Sequence, residues 1–196
     1  MSESMIKNSN WSWKYCEKSK TLNVTVITNT GAQYEGSTDF AIQMLCNEAV
    51  KPHNPFTQED VDSFLNFYER LSDIVPGDSD RMMWALKATA MRRFHKNHAL
   101  ADDWFQSTGK SRSHEEGEVV IIATKYRGVN GKAQEGNLLI VDADEASCYG
   151  ILISNETLNL DGSFLMKAGS CVHISNDKTL SISCLNRTIL QTLNIA

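Results

Sequence analysis

At 196 residues the chain has room for one large or two small domains and can bury a core without disulfides or a structural metal. Its 19 basic and 24 acidic residues give a net charge of −5, which argues against a dedicated nucleic-acid binder, since those carry a basic excess. No stretch approaches the roughly 18 apolar residues that span a bilayer, and five cysteines without a CxxC pair read as free thiols in a reducing, cytoplasmic compartment.

In chain order, Asn10 to Tyr15 alternates rings with polar residues, so Trp11, Trp13 and Tyr15 line one face of a strand. Leu22 to Ile27 has β-branched strand character, Asn29-Thr30-Gly31 is a turn, and Ala32 to Glu35 returns as a third strand. A helix is predicted from Thr38 toward Ala49, with Phe40, Met44 and Leu45 on one side and Pro52 as its stop. A second begins at Thr57, with Phe56 stapled onto Val61, and buries Val61, Phe64, Leu65, Tyr68, Leu71 and Ile74. Pro76-Gly77 ends it. A third starts near Asp78 or Ser79, carries Met83, Leu86, Ala90 and Phe94 on one stripe, and ends in Arg92, Arg93, His95, Lys96 and His98.

The polar run Ser107 to Glu116 reads as a linker. Beyond it come short strands at 118–124, 137–142, 147–154, 170–175, 179–185 and 188–195, spaced as in a small sandwich or barrel. The expected fold is α+β: a first domain over 1–110 with a few antiparallel strands and three helices, then an all-β domain over 111–196.

Chemistry-bearing motifs are weak. Gly109-Lys110-Ser111 ends like a phosphate loop, but Trp104 stands where its first glycine belongs. His95-x-x-His98 and Cys171-x-His173 each supply two metal ligands where zinc needs three or four, and Asp142 to Glu145 lacks the calcium-loop pattern. No cofactor and no metal is implied. Two features are left. Phe64 and Phe67 do not both fit one narrow inward stripe, which leaves room for an apolar groove. Arg92, Arg93 and Lys96 form a cationic patch on one helical turn, suited to an acidic protein surface. A small peptide- or ligand-binding protein and a small thiol-dependent enzyme stay open at this stage.

The opening Asn10-Trp11-Ser12-Trp13-Lys14-Tyr15 resembles the NWxWxY start of the ZapC family of Z-ring-associated division proteins. So do Ala85-Leu86, Arg92-Arg93-Phe94, Trp104-Phe105, the Leu138 to Val141 strand, Ala146-Ser147-Cys148, and the Ile174 to Asp177 turn. The resemblance implies a non-enzymatic, two-domain monomer at the cytoplasmic division site that touches neither nucleic acid nor membrane. Such a protein binds FtsZ, the tubulin-like GTPase, promotes lateral bundling of its filaments and Z-ring stability, and damps GTP turnover. It also implies an apolar pocket in the first domain, one leucine of which falls on Val24, with Phe40, Phe64 and Phe67 as further candidates. Two family lysines fall near Arg93 and Lys96. Reversing those two charges is expected to weaken association while leaving the fold intact.

Overall fold

The computed structural model describes residues 10–41, 45–51, 54–95, 100–128, 131–154 and 157–182. They divide into two compact units, Met1–Asn97 and His98–Ala196.

The first unit holds strands β1 (Asn10–Cys16), β2 (Thr21–Ile27), β3 (Gln33–Ala41) and β4 (Asn54–Pro55), in the antiparallel order β3-β2-β1-β4. Trp13, Val24 and Gly36 stand opposite one another on three successive strands, so they share a face. Rings gather there: Trp13 meets Phe94 edge-on at 5.7 Å and Phe56 at 5.0 Å, and Trp11 lies 5.4 Å from Phe56 and 6.0 Å from Phe64.

Two helices complete this unit: α1 (Gln58–Arg70) and α2 (Asp78–Phe94). Thr57 caps α1 with a capping box, its hydroxyl accepting from the Asp60 N–H while the Asp60 carboxylate accepts from the Thr57 N–H. The first-turn acids Asp78 and Asp80 and the last-turn Arg92 and Arg93 complement the dipole of α2. Ala85, Ala88 and Ala90 are fully buried on α2 and leave space for the surrounding rings.

The helix expected from Thr38 toward Ala49 is replaced by other structure over the described residues, among which this unit has two α-helices rather than three. Residues 33–41 belong to β3, and a 3₁₀ turn, Asn47–Val50, follows Leu45. Gly36, Ser37 and Thr38 are poor helix formers, and pairing with β2 satisfies their backbone. Thr38 does not act as a cap. Its hydroxyl donates to the Leu22 carbonyl at 2.5 Å, beside the register shift between β2 and β3. Phe40 is buried from a strand, and Met44 and Pro52 lie outside the described residues.

The second unit is β-rich. Its strands are β5 (Val119–Arg127), β6 (Ala133–Ala143), β7 (Ser147–Leu152), β8 (Leu158–Asn159), β9 (Leu165–Met166), β10 (Cys171–Ser175) and β11 (Thr179–Ser181). Five form an antiparallel sheet in the order β10-β7-β6-β5-β11, and β8 pairs with β9. The strand order ends on β10 and β11, so among the described residues the sheet is open and not closed into the barrel that was one expectation. The core is aliphatic, with Val120, Ile122, Leu138, Ile140, Leu152, Leu158, Val172 and Ile174 packed around Phe105. Gly150 is required where β7 crosses β6. A Cβ there would lie 2.5 Å from Leu138 and 2.8 Å from the Leu139 carbonyl.

The run Ser107 to Glu116 is tied down rather than free as a linker. The Thr108 N–H donates to the Asp177 carbonyl at 2.7 Å, and His114 is buried between Glu118 (3.0 Å) and the Thr179 hydroxyl (2.7 Å). Arg112 pairs with the same Glu118. The expected strand at 188–195 lies outside the described residues.

Candidate functional site

The strongest polar constellation of the first unit converges on Asp60. Position N3 of α1 turns its carboxylate inward, leaving the residue 3% exposed. It accepts from the Thr57 N–H at 2.8 Å, from the Trp13 indole N–H at 3.1 Å, and from Arg93, with which it forms an ion pair. Arg93 also donates to the Pro55 carbonyl at 2.8 Å and lies over the Phe94 ring, 4.8 Å from its centroid. One carboxylate therefore joins β1, α1 and the end of α2. Its negative charge is matched by a cation, as burial of a charge demands.

This node changes the reading of the basic patch. Arg93 keeps only 19% of its side chain exposed and spends its guanidinium on Asp60 and Pro55. Arg92 is exposed, and Lys96 lies outside the described residues. The expectation that the Arg93 charge can be reversed with the fold intact is therefore corrected: a glutamate there would face the Asp60 carboxylate across a buried contact.

The apolar candidates are equally definite in place. Val24 and Phe40 are 3% exposed, Phe64 1% and Phe67 0%. Phe64 and Phe67 both face inward because residues three apart lie side by side on a helix. The buried stripe of α1 is Asp60, Ser63, Phe64 and Phe67, continued by the buried C-cap residue Leu71. It is rotated from the expected stripe, since Asp60 takes the inner position and leaves Val61, Leu65 and Tyr68 half-buried. What reaches solvent is the margin of this ring cluster: half-buried Trp11, Phe56 and Tyr68, with Tyr68 stacked on Phe64 and Arg81 lying over Tyr68. Half-exposed rings beside cations suit contact with a protein surface. Asp60 could have been found from the Thr57-x-x-Asp60 spacing, but its Arg93 and Trp13 partners lie too far off in sequence to be read.

The other motifs resolve into structure. Asp144 closes a turn by accepting from the Ala146 and Ser147 N–H groups at 2.8 and 2.7 Å, which holds its carboxyl below the usual range. Gly109 sits at φ 71° beside the Ser107 hydroxyl, with no helix following it. Burial pushes the thiols of Cys148 and Cys171 up to about 12, while hydrogen bonds from Ser19 lower that of Cys16. His98 lies outside the described residues, among which no group of three or more His, Cys, Asp or Glu could hold a metal ion. No described helix is long and apolar enough to cross a membrane.

Fold and site define a two-unit α+β protein whose strongest charged contacts hold its own strands and helices together. Comparison with known sequences shows what the chain is similar to. The family described as "Cell-division protein ZapC, N-terminal" matches residues 5–96. The Cell division protein ZapC of Vibrio vulnificus is 26% identical over 183 residues, 93% of this chain and 95% of that protein. Its counterpart in Aliivibrio salmonicida is 24% identical over 183 residues, 93% of this chain and 96% of its own length. Along 93% of its length the chain is thus similar to ZapC cell-division proteins.

Proposed function

We propose that this protein binds polymerised FtsZ in the cytoplasm at the division site, holds its filaments side by side and thereby steadies the Z-ring. The observation that carries the reading is similarity to proteins named Cell division protein ZapC along 93% of the chain. It acts without cofactor or catalysis and damps GTP turnover by favouring the bundled polymer. A bundler must touch two filaments, either through two sites on one monomer or through a twofold dimer. Two dissimilar units, Met1–Asn97 and His98–Ala196, suit a monomer with two sites.

Within the first unit the contact is assigned to the ring cluster and the basic end of α2. Its apolar candidates are the buried Val24, Phe40, Phe64 and Phe67 with the half-exposed Trp11, Phe56 and Tyr68, and its cationic candidates are Arg92 and Arg93, together with Lys96, which lies outside the described residues. Arg92 is exposed, whereas Arg93 braces the surface from behind. Individually weak contacts of this kind gain strength from the multivalency of a filament.

Co-sedimentation of the purified protein with FtsZ, run with GTP and with GDP alongside light scattering, tests the reading. Joint pelleting with GTP alone, accompanied by increased scattering, is the expected result. A protein that stays in the supernatant at modest salt is not a filament bundler.

A further inference from the structure

We propose that β3 is a docking edge that takes an extended, basic peptide segment of a protein partner as an added strand. This inference is independent of the filament reading. Sheet edges present unpaired N–H and C=O groups, and proteins normally blunt them. Among the described residues the other edges are blunted. Strand β4 is two residues long and includes Pro55. The border of β10 is covered, because the Ala101 N–H donates to the His173 carbonyl at 2.7 Å and the Asp102 carboxylate accepts from the Ser175 N–H at 2.8 Å. Strand β11 offers three residues, and β8 and β9 two each. Strand β3 runs for nine residues, and Gln33 to Ser37 are all exposed.

The turn fixes which groups face outward. The Gly31 N–H donates to the Thr28 carbonyl, Gly31 stands at φ 80°, and the Thr28 N–H donates to the Ala32 carbonyl at 2.9 Å. Hydrogen-bonded pairs then recur at Val26–Tyr34 and Val24–Gly36. The backbone N–H and C=O groups of Gln33, Glu35 and Ser37 therefore point away from β2. Three donor–acceptor sets at this spacing match an extended chain and no compact ligand.

Side chains define the occupant further. One face of the edge carries Tyr34, 63% exposed, at the end of the Trp11–Val26–Tyr34 row. That row favours an apolar partner residue. The opposite face carries Glu35, and the exposed Asp39 follows at the register shift, with no cation between residues 33 and 39. Lys14 lies 3.9 Å from Glu35, which also accepts from the Asn23 side-chain amide at 2.9 Å, and Lys87 lies 3.2 Å from Asp39. An incoming strand alternating apolar residues with lysine or arginine complements both faces. A second copy of the chain fits poorly, because full overlap of the five exposed residues sets one Glu35 carboxylate against the other.

Isotope-labelled full-length protein titrated with a blocked heptapeptide of alternating lysine and valine tests this. Amide shifts centred on Gln33, Glu35 and Ser37 are expected. Binding should weaken roughly tenfold or more when the edge-facing peptide nitrogens are methylated or glutamate replaces lysine. Glu35→Lys should reverse the charge preference. Shifts confined to other residues, equal binding of the glutamate peptide, or no shift up to the solubility limit would each overturn the proposal. So would a concentration-dependent dimer formed through these same amides without peptide.

Discussion

The two units solve the burial problem differently. The first packs rings from β1, α1 and α2 around a charged hub, so its interior has polar addresses: Trp13 and Arg93 must each reach Asp60. The second fills its sheet with aliphatic side chains and depends on backbones coming close, as at Gly150. A core with a buried ion pair is sensitive to charge, whereas an aliphatic core is sensitive to volume. The same family of changes should therefore strike the two halves unequally.

The largest expected effect is in the first unit. Arg93→Glu leaves Asp60 facing a like charge and should cost about 3–5 kcal/mol, the range for a broken buried pair. Chemical denaturation followed by the fluorescence of Trp13 and its neighbours reads that loss directly. Retention of wild-type stability would show that the ion pair does not hold α2 to α1. Next comes the second unit: Gly150→Ala forces Leu138 and the Leu139 carbonyl to move and should cost about 1–3 kcal/mol, as overpacking does. Amide exchange should localise the damage to β6 and β7.

A smaller contrast is set by pH. Burial and the neighbouring Arg112 hold the His114 imidazole below its ordinary 6.5, so the folded state favours the neutral ring. Its contribution is whole above 6.5 and declines as pH falls through that value toward the folded pKa, because the unfolded chain takes up the proton first. Melts of the wild type against His114→Gln should show the wild type losing more stability over that interval. The least expected effect is kinetic: alkylation at neutral pH should reach Cys16 well before Cys148 and Cys171, whose buried thiols hold their protons. Faster labelling of Cys148 would mean that the second unit opens readily.

Much of this architecture is legible in the sequence because local rules and tertiary demands agree. The alternating rings of Asn10 to Tyr15 become β1, Thr57 becomes a cap, and Asn29-Thr30-Gly31 becomes the predicted turn. Thr38 misleads because a hydroxyl that caps a helix serves equally well to satisfy the Leu22 carbonyl at a bulge, and only the register with β2 decides between them. Arg93 misleads for a similar reason. A cation at the end of a helix suits the dipole whether it faces solvent or a carboxylate, and its Asp60 partner lies 33 residues away.

Asp60 also has a consequence for how the sequence can drift. It binds Trp13 from 47 positions away and Arg93 from 33, so three distant stretches share a single fitness constraint. Single exchanges at these positions should behave non-additively in a double-mutant cycle. Compensated changes, made at two of them together, are the open route for divergence.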